Sequence, residues 1–420
     1  MKKIAIVGLG YVGLPLANAL AKKGYTVRGF DISEQRVESL TSGHDWTREV
    51  PDEELKHTTM IFSADPAILA DAEIIIVAVP TPVNDRNKPD LSPVVNASHT
   101  VGKQLKKGMI VCYESTVYPG VTEDICGPIL EQESGLKSGI DFFLGYSPER
   151  INPGDKLHTV DKIAKVVGGQ DEQTTDTLCA LYGDVTSGGI HRAPSIRVAE
   201  MAKAIENAQR DINIAYINEI AMMCHHLGIA TKDVLAAAKS KWNFLNFQPG
   251  LVGGHCIGVD PYYLVEKAKE LGMDTHLITA GRSINDGMAA FVATEVITAL
   301  GNQSGMKVLV LGLTFKENVP DTRNSKSGDV VRHLRTAGCT VVIHDAAVGK
   351  EGVAREKLDW GEPDGGPYDA IVFLVPHREY LSWPVEVWLK ATVPGGVIYD
   401  LKSVLPGKDI AAAGRKYMAL

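Results

Sequence analysis

Cys256 stands in the stretch FQPGLVGGHCIGVDP (247–261), where glycines surround a single thiol. Glycines of this density let backbone N–H groups come close to a bound group. Asp260 followed by Pro261 is a good helix start, with Asp as cap and Pro as first residue. A helix N-terminus near Cys256 favours the thiolate, which is the nucleophilic form. A lone cysteine is ordinarily a small buried hydrophobe, and Asp260 alone could be a plain cap. The glycine setting favours a reactive role. His255 is adjacent to Cys256, and neighbours in sequence rarely aim their side chains at each other, so it reads as structural. Lys203 and Asn207 lie four apart in AEMAKAIEN (199–207) and share one helix face. They offer a fixed positive charge and an amide donor, although composition alone leaves a solvated polar stripe open.

A second constellation is GLGYVG (8–13), a GxGxxG between an apolar run and a helical pattern. Gly8, Gly10 and Gly13 allow a tight turn and close approach of the backbone to a pyrophosphate, which the following helix N-terminus attracts. Tyr11 and Val12 lie within the turn. Asp31 ends the next apolar run, 18 residues after Gly13. It is placed to accept hydrogen bonds from an adenosine ribose, favouring NAD over NADP. Arg36 is close enough to contest that preference. A bare glycine turn is the ordinary alternative, but strand, helix and acid all match here.

These groups need elements to hold them. Lys3–Gly8 reads as a strand, Tyr11–Lys23 as a helix and Tyr25–Asp31 as a second strand. Ile74–Pro80 and Met109–Tyr113 read as further strands. The alternation predicts a parallel, doubly wound α/β sheet. The C-terminal part repeats the pattern. KVLVLG (307–312) matches KIAIVG (3–8), and GCTVVIHD (338–345) matches GYTVRGFD (24–31). IVFLVP (371–376) matches IIVAVP (75–80), and GGVIYDLKSV (395–404) matches GMIVCYESTV (108–117). The order is the same, so two Rossmann-like domains are expected, at 1–193 and 306–420. The second copy has Gly312 and Thr314 in place of the glycine fingerprint and is not expected to bind a dinucleotide in the same way. The section between, 194–305, has helical periodicity and few strand signals. Ile196–Leu227 reads as one long helix, with Val198, Ile205, Ile212, Ala215 and Ile220 on a broad buried face. Such a spine is a natural dimer surface, with an ordinary linker helix as the alternative.

The chain has 420 residues, 45% hydrophobic and 22% charged, as a core-forming protein does. A net charge of −8 argues against a general nucleic-acid binder. No apolar run reaches the roughly 18 residues of a membrane span. MKKIAIVGLG (1–10) is too glycine-rich for a signal peptide and reads as the first strand. The six cysteines form no CxxC pair, so free thiols, a cytoplasmic setting and no metal site are expected.

Taken together, GLGYVGLPLA (8–17), VPTP (79–82), ESTVYPG (114–120), SPERINPGD (147–155), EMAKAIENAQRDINIAYINE (200–219), GLVGGHCIGVD (250–260) and GLTFKENVPDTRNSKSGDVV (312–331) resemble the UDP-glucose/GDP-mannose dehydrogenase family over nearly the whole chain. The resemblance implies a central helical dimerisation domain, a C-terminal UDP-binding domain and a homodimer. It implies oxidation of a sugar C6 alcohol by two successive NAD, with Cys256 holding a thiohemiacetal and then a thioester. Lys203 and Asn207 would stabilise charge on the C6 oxygen. Asp260 and Glu149 would handle protons and water, with Thr116 helping to hold that water. The base stays open among Lys203, Asp260 and Glu149. By the same resemblance Val12, Asp31, Arg36, Pro80, Thr81, Ser115 and Thr116 face NAD. Lys316 and Arg323 are suited to the nucleotide or the sugar side, with Arg323 counted at both the cofactor and the substrate. Glu149, Arg150, Ile151, Asn152, Phe247 and Gly253 complete the expected substrate contacts. Val259 stands where UDP-glucose enzymes carry Lys. With SPERINPGD, it resembles the branch acting on UDP-N-acetylhexosamines to make uronic acids for bacterial surface polysaccharides. UDP-GlcNAc and UDP-GalNAc both fit, and Arg150–Asn152 would lie against the acetamido group. The alternatives are a UDP-glucose 6-dehydrogenase, a two-electron β-hydroxyacid dehydrogenase and a non-catalytic NAD-sensing protein.

Overall fold

The computed structural model describes residues 2–84, 87–150, 161–254 and 256–420. The chain forms two compact units. One holds Met1–Glu206 and Tyr262–Met273, and the other holds Asn207–Pro261 and Asp274–Leu420.

In the first unit the strands are β1 (Lys3–Val7), β2 (Thr26–Phe30), β3 (Ile61–Ser63), β4 (Ile74–Val77), β5 (Ile110–Tyr113), β6 (Phe143–Tyr146), β7 (Lys165–Gly169) and β8 (Ile190–Arg192). They lie in the order β3-β2-β1-β4-β5-β6-β7-β8. The first six are parallel, β7 runs antiparallel to β6, and β8 runs parallel to β7. The continuous apolar runs of β1, β4 and β5 are buried on both faces, as parallel strands covered by helices require. Helix Gly13–Lys22 packs Leu14, Leu16, Ala17 and Leu20 into the same core as Ile4, Ile6, Ile74 and Ile76.

The second unit has β9 (Lys307–Leu311), β10 (Thr340–His344), β11 (Tyr368–Phe373), β12 (Thr392–Asp400) and β13 (Lys416–Ala419), all parallel in the order β10-β9-β11-β12-β13. With β9 matched to β1, this order repeats β2-β1-β4-β5-β6. The duplication expected from sequence is therefore one of topology as well as of residues. Among the described residues no strand falls between 194 and 305, and the long helix runs Ile196–Leu227.

The face of that helix needs correction. Ala215 is buried and Ile212 and Ile220 are half-buried, but Val198 and Ile205 are 44% and 48% exposed. Five polar residues, Glu200, Lys203, Asn207, Asp211 and Asn218, share the buried face with small or apolar ones such as Ala199, Ala204, Ala208, Ile217 and Ala221. Each carboxylate or amide among them has a partner at hydrogen-bond distance, which offsets the cost of burial. Apolar periodicity placed Ile212, Ala215 and Ile220 on the covered side but misplaced Val198 and Ile205. No helix among the described residues is long and apolar enough to cross a membrane.

Candidate active site

In the first unit the candidate groups collect at the carboxyl ends of β1, β2, β4, β5 and β6, where a doubly wound sheet binds its ligand. Gly8 has φ +92° and its N–H donates to Phe30 O at 2.9 Å. A Cβ on Gly8 would lie 2.8 Å from Ala78 O, and one on Gly13 would lie 1.9 Å from Gly8 O, whereas one on Gly10 would meet nothing within 4 Å. Gly8 and Gly13 thus serve internal packing, and Gly10 leaves an open approach. That division fits a diphosphate laid on the turn. Asp31 accepts from Leu9 N–H and Ser33 N–H, both at 2.9 Å, so it fixes the turn as well as lying where a ribose is expected. Arg36 is buried. Its Nε donates to Leu9 O at 2.8 Å, its Nη1 is 2.8 Å from Asp45 Oδ1, and its guanidinium lies 5.0 Å from the Trp46 ring centroid. Burial pushes the Asp45 carboxyl up, but hydrogen bonds from Thr47, Val50 and Arg36 hold it below its ordinary value. Arg36 therefore braces the turn from within.

Pro80 is exposed, and Tyr11, Val12, Thr81 and Thr116 are half-buried. Tyr263 OH donates to Thr81 O at 2.9 Å. Ser115 Oγ donates to Val79 O at 2.7 Å, and Tyr146 OH donates to Ser115 O at 3.2 Å. These bonds tie the loops after β4 and β5 to each other, to β6 and to helix Asp260–Glu270. Glu200 accepts from Gly120 N–H at 2.6 Å and Thr122 N–H at 3.0 Å, fixing the end of ESTVYPG to the long helix. Glu149 follows β6. Its Oε1 accepts from Arg150 N–H at 2.6 Å, and Arg150 forks onto Glu206 at 2.8 and 3.2 Å while Nη1 donates to Ala164 O at 2.8 Å. Ile151, Asn152 and His255 lie outside the described residues.

Sequence reading missed Lys165 and Glu114. Lys165 Nζ is 3.2 Å from Glu114 Oε1 and 3.5 Å from Glu149 Oε2. The signal, a lysine opening an apolar strand, is weak because such residues usually face water.

In the second unit Asp260 is 2% exposed and accepts from Asn207 Nδ2 at 2.5 Å. Its N–H donates to Cys256 O at 2.8 Å, so the turn carrying the half-buried Cys256 leads directly into helix Asp260–Glu270. Asn218 donates to Gly250 O at 3.0 Å and accepts from Gly250 N–H at 2.7 Å, anchoring the loop before the cysteine. The loop glycines have a packing cause beyond the one expected. A Cβ on Gly253 would lie 2.6 Å from Asn324 O, and one on Gly254, at φ +81°, would lie 2.7 Å from the Phe315 ring. Phe247 is half-buried.

Lys316 and Gly253 line a cavity of about 150 Å³ with Phe315, Lys326 and Lys402. Lys402 was also missed. Burial pulls its ammonium pKa below the ordinary value, opposed by Glu317, and Nζ donates to Pro249 O at 3.2 Å. Lys316 and Lys402 on one cavity suit an anionic group, while Lys326 pairs with Asp286 at 2.9 Å and Glu317 also lines the cavity. Arg323 is half exposed and pairs with Asp321 at 2.7 and 3.0 Å.

The first unit's fingerprint has a counterpart around Asp345. Leu313 N–H and Thr314 N–H donate to its Oδ2 at 2.6 and 3.0 Å, and Gly312 N–H donates to His344 O at 2.9 Å. His377 Nε2 lies 3.1 Å from Asp345 Oδ2 and covers this second carboxylate.

Residues 2–186 match the NAD binding domain of the UDP-glucose/GDP-mannose dehydrogenase family, 197–287 its central domain and 309–407 its UDP binding domain. The chain is 49% identical to the UDP-N-acetyl-D-glucosamine 6-dehydrogenase of Pseudomonas aeruginosa, over 96% of this chain and 97% of that one. It is 46% identical to the enzyme of the same name from Salmonella typhi, over 97% of each. The structure of a UDP-D-ManNAc dehydrogenase from Pyrococcus horikoshii matches with TM-score 0.88 and 32% identity, covering 99% of this chain and 98% of that one. With three family domains in order along nearly the whole chain, this protein belongs to the UDP-glucose/GDP-mannose dehydrogenase family, an NAD-dependent oxidoreductase family.

Proposed function

We propose that this chain oxidises the C6 alcohol of a UDP-N-acetylhexosamine to the carboxylate, forming two NADH per sugar through a thioester on Cys256. The observation that carries this is the Cys256–Asp260–Asn207 arrangement. A thiol-bearing turn is hydrogen-bonded into a buried Asp–Asn pair, and Asn207 sits one helical turn from Lys203. NAD, when bound, accepts the hydrides. The residues do the rest. Lys203 and Asn207 meet the developing C6 oxygen charge, and Cys256 Sγ adds to the aldehyde carbon. After the second oxidation the acyl group is held by its C–S bond until water replaces sulfur. Glu149 and Asp260 serve proton transfer, with Thr116 near the water. Lys316, Lys402 and Arg323 are assigned to the diphosphate side, and Arg150 to the sugar side. The segments matching the family models support the division 1–193, 194–305 and 306–420.

Val259 and SPERINPGD favour the N-acetylhexosamine branch. The activity for which the Pseudomonas and Salmonella relatives are named favours UDP-N-acetylglucosamine over its C4 epimer. An NADH-release assay across UDP-Glc, UDP-GlcNAc, UDP-GalNAc and UDP-ManNAc tests this. UDP-GlcNAc should give the highest kcat/KM with about two NADH per sugar, and Cys256→Ala should give no uronate. One NADH per sugar, or full activity of Cys256→Ala, would rule the thioester out and favour a two-electron dehydrogenase.

A further inference from the structure

Lys165 is a lysine inside a sheet, with its side chain 2% exposed. An ammonium there must be paired and hydrogen-bonded to be tolerated. The pairing of β6 with β7 sets Gly145 opposite Gly169 and Tyr146 opposite Gly168. The same register, continued past the end of β6, brings Lys165 across from Glu149. Nζ lies 3.2 Å from Glu114 Oε1, 3.5 Å from Glu149 Oε2 and 3.4 Å from Pro148 O. The three contacts use the three donors of an ammonium, and the Tyr182 ring lies 4.9 Å away on the remaining side. One cation thus grips the side chain of Glu149, the backbone just before it, and the residue preceding Ser115 and Thr116. A plain structural ion pair would need only one of these carboxylates.

We propose that Lys165 is a positioning residue for thioester hydrolysis, holding Glu149 where it takes a proton from the attacking water. This rests on the thioester reading above. In that step a C–O bond forms from water to the acyl carbon. The C–S bond breaks with its electron pair going to Cys256 Sγ, and the water proton passes to Glu149. Glu114 competes with Glu149 for the same ammonium. Among the described residues, the titratable groups facing Nζ are Cys112 on β5, Glu114 after it, Glu149 after β6 and Tyr182 on helix Glu172–Val185. Burial pushes the Glu114 carboxyl up, with Lys165 opposing it, and the two carboxylates outweigh burial to raise Lys165.

The test uses the full-length enzyme with UDP-GlcNAc and NAD, following NADH by quenched flow and Cys256 by intact mass. In Lys165→Met the first turnover should release two NADH per thiol near the wild-type rate. Steady-state turnover should then fall about 100-fold or more, the loss of a positioned base, with an acyl adduct accumulating on Cys256. Lys165→Arg should recover at least a tenth of wild-type turnover. The acid limb of turnover should move up by about one pH unit in Lys165→Met, and down in Glu114→Gln, which frees the ammonium for Glu149. Slowing of both hydride steps as much as turnover, absence of the adduct, or Lys165→Arg as impaired as Lys165→Met overturns the proposal. If Lys165→Met does not fold, Glu114→Gln decides, since an unmoved acid limb also overturns it. Wild-type release of one NADH per sugar overturns the thioester reading itself. Two NADH from wild type with no adduct in the variant overturns only the role of Lys165.

Discussion

Lys402 illustrates what burial does to a single charge. Its ammonium titrates below the usual lysine range because it is desolvated, with Glu317 only partly compensating. Beside Lys316 it should hold a diphosphate while protonated. As pH rises through the lowered pKa the charge is lost, so UDP affinity should fall earlier than a surface lysine would allow. Isothermal titration of UDP from pH 7 to 10 should show this fall in wild type. In Lys402→Ala affinity should be about 10-fold weaker at pH 7, the loss of one charge-assisted contact of about 1.4 kcal/mol, with the early fall gone. At this scale the sequence told much about residues tied to a spacing. The turn at Gly8, Gly10 and Gly13 and its tie to Asp31 follow from backbone geometry, and the glycines flagged the tight turn at Cys256. Lys165, Glu114 and Lys402 were silent, because their roles depend on strands distant in sequence meeting side by side.

The long helix buries Glu200, Lys203, Asn207, Asp211 and Asn218 among alanines and leaves Val198, Met201, Ile205, Tyr216, Met223 and Leu227 exposed. Exposed apolar side chains along one helix are a usual mark of an association surface. We propose that a second copy of this chain covers them. Light scattering should then give a dimer for wild type and a monomer for Ile205→Glu, since a charge there would be buried without a partner. A dimer unchanged by this substitution would place the interface elsewhere. The helix's extent, Ile196–Leu227, was legible from periodicity, but the exposure of Val198 and Ile205 was not. Hydrophobic spacing reports which side is apolar, and an enzyme that buries Glu200, Lys203, Asn207 and Asp211 between alanines blurs that report.

Across the whole molecule the same carboxylate device occurs twice. Asp31 and Asp345 each bind the first N–H groups of a strand-to-helix turn. The first turn, 8–12, stays open at Gly10, whereas the second is replaced by the longer segment 312–326 and its acid is covered by His377. Calorimetry should accordingly find about one NAD per chain. Burial alone would raise the Asp345 carboxyl, but His377 and the Leu313 and Thr314 N–H groups hold it far below its ordinary value. A depressed pKa adds stability that is full above the unfolded value of about 3.9 and is lost as pH falls below it. Asp345→Asn should therefore cost about 3 kcal/mol in a chemical denaturation at pH 7, with the difference shrinking below about pH 4. The duplicated strand order was legible because matching segments recur in order. The divergence of the two turns was legible only as a missing glycine, since nothing in 312–326 announces His377, which comes from the loop after β11. The long helix adds a different constraint. It contributes residues to both compact units, with Lys203 counted in one and Asn207 in the other. Each residue added to a helix rotates the rest of it by about 100° and advances it by about 1.5 Å. A one-residue insertion between Lys203 and Asn207 would therefore turn these two side chains about 100° off the face they share. The helix acts as a ruler for that face: its length tolerates substitution on its outer side, but its phase does not tolerate a shift of one.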